Sequence, residues 1–332
     1  MNASTRLRIE DAAALAERAL HELGYPSDDA RTILEHLLDC ELRGLGYSGL
    51  ARIVSIAERL AGAPPVTGSA RATRKSPVSA QLDGDDRIGY LVALQATELA
   101  IDKAIASGIG IVGANGTWYT GMLSYYAERI TAKGLVAMLA SSATPWVAPF
   151  GGTEPRFGTN PFCFGFPAAE SPLIWDIGIS EIIHAQALLA HRTGSSLPAG
   201  VAYAQDGSPT TDPMAALAGA FAAWGGHKGS GLGVSVQLLG ALAGAPLLPG
   251  EMRDFGFFVL AIDPELFGPR DELRRKVSRY QQLLAETRPA NPEHPVRAPF
   301  ARSAAERVRR LREGSLEVPS VVHTALTALA GS

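Results

Sequence analysis

The stretch Pro149-Phe150-Gly151-Gly152-Thr153-Glu154-Pro155-Arg156-Phe157-Gly158-Thr159-Asn160-Pro161 constrains the fold more than any other part of the chain. Its Gly and Pro content rules out a helix, because Gly gives up the most backbone entropy and Pro removes a donor and fixes φ. It is too long for a simple turn. The apolar runs at 135–139 and 162–166 on either side read as strands, so the loop joins two strand ends. Long ordered loops on rigid scaffolds are where binding and chemistry concentrate. From the loop alone, a ligand-shaping surface and an elaborate structural crossover stand as equal alternatives.

The rest of the chain alternates helix and strand patterns. Residues 9–23 carry Ala12, Leu15, Ala16, Ala19 and Leu20 at helical spacing, and 28–42 carry Ile33, Leu37, Leu38 and Cys40. Ser27-Asp28-Asp29 reads as the capping group of the second helix. A third helix follows 43–52, and the Pro- and Arg-rich 63–81 reads as a connector between domains. Asp83-Gly84-Asp85-Asp86 reads as a turn. Helices are expected at 89–107, 121–133 and 230–243, and strands at 109–114, 135–139, 162–166, 173–176 and 255–262. Thr210-Thr211-Asp212-Pro213 has the form of an N-cap followed by Pro early in a helix. Two or three helices are expected from 271 onward.

A formal net charge of −3 over 332 residues argues against a nucleic-acid partner. The basic run from Arg302 to Arg312 contains Glu306, which points to a solvated helix face. Cys40 and Cys163 lie in apolar surroundings and read as free buried thiols of a reducing compartment, with no metal site. No signal core opens the chain and no apolar run reaches membrane-spanning length, so the expected location is cytoplasmic.

Gly108-Ile109-Gly110-Ile111-Val112-Gly113 matches a dinucleotide-binding fingerprint in letters only. That fingerprint needs glycines after a strand and before a helix. Here a helix precedes them and they fall inside the following strand. Two other segments carry candidate anion sites. Arg43-Gly44-Leu45-Gly46-Tyr47-Ser48-Gly49-Leu50-Ala51-Arg52 puts Arg52 in the first turn of a helix, where the dipole gives a cation no support. It is there either solvated or to grip a carboxylate with its guanidinium fork. Gly225-Gly226-His227-Lys228-Gly229 at a helix entry is either an anion seat or a tight helix start.

These segments, with the Asp83-Gly84 and Thr210–Pro213 motifs, together resemble the family of NAD(P)-dependent type-2 malate/L-lactate dehydrogenases over nearly the whole length. That family also includes ureidoglycolate and sulfolactate dehydrogenases, diketogulonate reductase and reductases of cyclic imino acids such as Δ1-piperideine-2-carboxylate. The resemblance implies an α/β, non-Rossmann cofactor-binding fold with a helical N- and C-terminal domain, normally a homodimer. It suggests a helical, dimerising domain from 1–75 and 265–332 that carries the substrate turn, and a cofactor-binding α/β domain at 76–264. It implies Arg52 and Thr159 as substrate-binding. It implies Tyr119, Gly121, Asp176, Gly178, Ile179, Ser180, His184 and Lys228 as cofactor-binding, His184 being placed to read a 2′-phosphate and so to favour NADPH over NADH.

The pattern departs from the family at the acid–base group. The family turn reads Arg-Gly-x-x-Ser-His-Gly-x-x-Arg, and its Ser-His pair falls here on Tyr47-Ser48. The family's Asn-His-Phe-Gly is Trp118-Tyr119-Thr120-Gly121, its Asp-Met-Ala-Thr-Ser is Asp176-Ile177-Gly178-Ile179-Ser180, and its Pro-Gly-Glu is Pro299-Phe300-Ala301. Reducing a ketone creates an alkoxide, and a positioned acid is worth about 10²–10⁴-fold there. An iminium already carries its proton. The expected activity is therefore NAD(P)H-dependent reduction of a small, cyclic imine bearing a carboxylate, with Ser48 and Tyr47 as the catalytic-turn residues. Two alternatives remain: a 2-oxo-acid/2-hydroxy-acid dehydrogenase with Tyr47 as the acid, and a silent dimeric binding protein.

Overall fold

The computed structural model describes residues 3–331; Met1, Asn2 and Ser332, at the outer ends of the expected domain bounds and at the expected signal-free start, lie outside it. In chain order the first elements are β1 (Ser4–Arg8), α1 (Ile9–Glu22), α2 (Ser27–Leu42), α3 (Ala51–Leu60), β2 (Arg71–Lys75) and β3 (Ser79–Ile88). Then come α4 (Gly89–Ser107), β4 (Ile109–Trp118), α5 (Leu123–Ala132), β5 (Val136–Ser141), β6 (Phe162–Phe166) and β7 (Leu173–Ile177). They are followed by α6 (His184–Arg192), β8 (Ala202–Tyr203), α7 (Pro213–Ala218), β9 (Ala220–Phe221), α8 (Gly226–Leu242) and β10 (Phe255–Ile262). The last are α9 (Arg270–Ala285), α10 (Ala301–Glu313), β11 (Ser315–Pro319) and α11 (Ser320–Leu329).

The main sheet has seven strands in the order β2-β3-β4-β10-β5-β6-β7. Only β3 and β4 run parallel, joined by the crossover helix α4. The fold is thus α/β with a mixed sheet, as expected. α4 and α5 pack on one face over a core that includes Val92, Ala96, Tyr126, Leu139 and Val259. A second core joins α1, α2, α3 and α11 through Leu20, Ile33, Leu37, Ile53, Ile56 and Leu326. Its α1 members are the positions that helical spacing picks out, as are Ile33 and Leu37 of α2.

Several expectations are corrected. The connector at 63–81 contains β2 and the start of β3, so the sheet begins at Arg71. Asp83–Asp86 is not a turn between elements but a bulge within β3, with Asp85 and Asp86 at φ 49° and 60°. The second helix is entered from Pro26 with no side-chain cap bond; Asp28 and Asp29 instead place negative charge in its first turn. The 210–213 motif does what its letters say, since the Asp212 carboxylate accepts the Met214 and Ala215 N–H groups.

Gly108 is the left-handed C-cap of α4 (φ 81°). At Gly110 an added Cβ would lie 2.0 Å from the Ala100 carbonyl oxygen. These glycines therefore serve the packing of helix on strand, as their position inside a strand implies. Both cysteines are buried and free.

Candidate active site

One end of the main sheet carries a cavity of about 400 Å³. β4, β5 and β7 finish there, while β6 and β10, running the other way, start there. Strand ends therefore deliver Tyr119, Ser141, Pro161, Asp176 and Phe255 to one place. The turn before α3, the entry to α6 and the entry to α10 close around them. Of the long Gly/Pro loop, Thr159 and Pro161 reach the cavity, while Phe150 at its other end is 66% exposed. Asn160 holds the inner end. At φ 35° it donates from Nδ2 to the Gly233 carbonyl (2.8 Å) and to Gln237 Oε1 (2.9 Å), both on α8.

The turn bearing Tyr47 and Ser48 is a single 3₁₀ turn, Gly46–Ser48. It is braced from beneath by Glu41, whose Oε1 accepts the Leu50 N–H at 2.8 Å. An added Cβ at Gly49 would lie 2.5 Å from that oxygen, so the turn sits directly on the carboxyl group. Burial pushes the Glu41 carboxyl up to about 7, against the pull of the Leu50 N–H.

Arg52 lines the cavity from the first turn of α3, as expected. Its guanidinium lies 4.3 Å over the Tyr119 ring, and its Nη1 is buried with no hydrogen-bond partner. A buried guanidinium face left open in this way is costly unless an acceptor arrives. Arg43, by contrast, is consumed by ion pairs to Asp39 (2.6 Å) and Glu128 (2.5 Å) and serves the fold.

His184 is the surprise. It opens α6, lines the cavity, and stacks on Trp146 with ring centroids 4.1 Å apart. Burial first, and then Arg52 and Arg192, push it down to about 3. Burial and the two arginines thus favour the neutral imidazole, and its Nδ1 is buried without a partner. The other buried histidine, His36, sits behind the cavity and accepts the Met122 N–H on Nε2 at 2.9 Å. It also explains Gly121 (φ 79°), where an added Cβ would lie 2.3 Å from that nitrogen.

Asp176 is the one carboxyl group lining the cavity among the described residues. Burial raises it, while the Ser124 N–H, donating at 2.7 Å, pulls the other way. Burial likewise raises the Tyr47 phenol. Of the expected cofactor residues, Tyr119, Gly121, Asp176, Gly178 and His184 line the cavity. Ile179 is fully buried in a neighbouring core. Ser180 is 8% exposed with an unpartnered hydroxyl. Lys228 is exposed in the first turn of α8, away from the cavity. Sequence reasoning missed Trp146, Phe255, Tyr90 and Arg302, which come singly from separate elements and leave no local pattern.

Arg52, Arg302, one carboxyl group and aromatic walls thus meet in one cavity at the end of a mixed sheet. The chain belongs to the malate/L-lactate dehydrogenase family, whose family model matches residues 7–327. It is 30% identical to L-sulfolactate dehydrogenase of Methanocaldococcus jannaschii, covering 96% of this chain and 95% of that one. It is 27% identical to the Δ1-pyrroline-2-carboxylate/Δ1-piperideine-2-carboxylate reductase of Pseudomonas aeruginosa, covering 98% and 99%. Among solved structures, a dehydrogenase from Sinorhizobium meliloti superposes with a TM-score of 0.92 at 31% identity, covering 99% of both chains. The protein is an NAD(P)-dependent oxidoreductase.

Proposed function

We propose that this protein is an NAD(P)H-dependent reductase of a small, cyclic, carboxylate-bearing imine. The carrying observation is that, among the described residues, the cavity offers a half-buried guanidinium with an unpartnered nitrogen but no imidazolium to give up a proton. Arg52 Nη1 waits for an acceptor. Among the described residues the only imidazole in the lining is pushed down to about 3 by burial and two arginines, and burial raises the Tyr47 phenol. Carbonyl reduction without an acid forfeits about 3–5 kcal/mol of transition-state stabilisation. A protonated imine needs only carboxylate anchoring and orientation, and Asp176 supplies charge complementary to it.

The lining suits a nicotinamide ring beside such a substrate. Trp146 and Phe255 offer flat apolar walls, and His184 Nδ1 is buried without a partner. When bound, the cofactor supplies the hydride. Arg52 grips the carboxylate, Ser48 and Thr159 contact the substrate, and Tyr47 orients it. NADPH is the preferred form in this reading, with NADH as the alternative. The chain acts as a homodimer through α8, whose Val234, Leu238 and Leu242 are 47%, 54% and 73% exposed. No helix among the described residues is long and apolar enough to cross a membrane.

The test is NADPH oxidation with Δ1-piperideine-2-carboxylate against pyruvate and oxaloacetate. Faster turnover of the imine is expected, and faster turnover of the oxo acids overturns the assignment. The second reading, a 2-oxo-acid reductase with Tyr47 as its acid, is favoured by the place of Tyr47 in the cavity lining. It requires Tyr47→Phe to abolish carbonyl reduction.

A further inference from the structure

We infer that His184 is the residue that meets the nitrogen of the substrate: its ring accepts the imine N–H while Arg52 holds the adjoining carboxylate. The inference rests on the imine reading above and deepens it, by naming the second point at which the substrate is held.

The two side chains line one cavity from separate helices, and those helices are tied together. Arg192, the last residue of α6, reaches across to α3. It donates to the Ala51 carbonyl (3.2 Å), to Ser55 Oγ (2.9 Å) and to Glu58 Oε2 (2.6 Å). At the other end of α6, Gln186 Oε1 accepts the Ile183 N–H at 3.0 Å and fixes the entry on which His184 stands. Arg52 is placed in turn by Tyr119, whose ring lies 4.3 Å from the guanidinium. Tyr119 keeps a left-handed φ of 52°, a conformation that a bulky residue holds only when its surroundings impose it.

The plane of the His184 ring is set by stacking. It lies on Trp146 at an interplanar angle of 19°, and Trp146 is itself buried, with Phe255 edge-on to it at 84°. Its Nδ1 is buried without a partner. No hydrogen bond to a described residue fixes the tautomer, so the imidazole can carry its proton on either nitrogen and offer a lone pair from the other.

What the ring offers is an acceptor and no charge. Arg52 and Arg192 oppose a positive charge on it. So does its position in the first turn of α6, at the positive end of the helix dipole. An imidazolium would repel a protonated imine, whereas an uncharged imidazole accepts its N–H. Asp176, the carboxyl group of the lining, is already turned to the start of α5, where it accepts the Ser124 N–H at 2.7 Å. It supplies charge across the cavity, and His184 supplies the directed bond. A 2-imino acid bears its nitrogen and its carboxylate on one carbon. A guanidinium and an acceptor in the same cavity therefore hold it at two points and set its orientation toward the cofactor.

The experiment is calorimetry on the full chain saturated with NADP⁺. The probes are pyrrole-2-carboxylate and furan-2-carboxylate, flat ring acids that differ in a ring N–H against a ring oxygen. In the wild type the pyrrole acid is expected to bind at least about tenfold more tightly, a difference of about 1.4 kcal/mol. His184→Phe keeps a ring to stack on Trp146. It is expected to bring the ratio to about one while leaving furan-acid and NADP⁺ affinity unchanged. His184→Gln, whose amide oxygen can accept, is expected to keep part of the preference.

Equal binding of the two probes by the wild type overturns the inference, as does failure to bind either. So does a preference undiminished in His184→Phe. A loss of NADP⁺ affinity in both variants also overturns it, since that assigns the ring to the cofactor. The imine assignment is decided separately, on turnover. Imine turnover that outruns the oxo acids, beside a probe ratio of one, would leave that assignment standing and remove the role of His184. The reverse pair of results would remove the assignment and leave a histidine that binds N–H donors.

Discussion

Glu41 shows how a residue outside the cavity governs one inside it. Its carboxyl group carries the turn that presents Tyr47 and Ser48, and burial moves it from 4.5 to about 7. Between those values the folded state keeps a proton that the unfolded state has released. Stability therefore falls as pH rises through that window and levels off above it, by about 3 kcal/mol in all. Glu41→Gln is expected to remove this slope, and urea unfolding of both proteins from pH 4.5 to 8 measures it. Parallel curves would mean that Glu41 titrates normally. Sequence alone put Arg52, Thr159, Gly178 and Asp176 at the cavity, because they sit in recognisable strings. It did not show that the His184 ring stacks on Trp146 and lies near Arg52, because those contacts join distant parts of the chain.

At the scale of elements, α8 is the sharpest case. Its glycines lower helix propensity, yet Gly233 lets Phe157 of the Gly/Pro loop pack against the helix: an added Cβ would lie 2.6 Å from that ring. Gly→Ala in a helix normally gains about 1 kcal/mol, and overpacking a filled core costs about 1–3 kcal/mol. Gly233→Ala is expected to lose about 1–2 kcal/mol, read as a lower urea midpoint with an unchanged slope. A higher midpoint would show the contact to be loose. The helix expected at 230–243 is present, though it starts earlier, at Gly226. The strands β4, β5, β6, β7 and β10 of the main sheet were legible from their apolar runs, whereas β3, broken by its acidic bulge, read as connector and turn. β1, β2, β8, β9 and β11 were not, because short or charged strands are defined by their partners and carry little pattern of their own.

For the whole molecule, the exposed row Val234, Leu238, Leu242 on α8, with Leu247 and Leu248 each 60% exposed, is the surface proposed to meet a second copy. Leu238→Glu combined with Leu242→Glu is expected to convert a dimer to a monomer in sedimentation equilibrium. A wild type that sediments as a monomer, or a variant that remains dimeric, would refute the assignment. The pairing of β1 with β11, Ser4 opposite Pro319, has a different consequence. The core beneath the arginine-bearing turn draws on residues 12–60 and 316–330, so it can close only once synthesis has delivered residues 316–330. Arg52 would then come into register after the sheet it faces, and premature release would leave a formed sheet with no means of holding its acid.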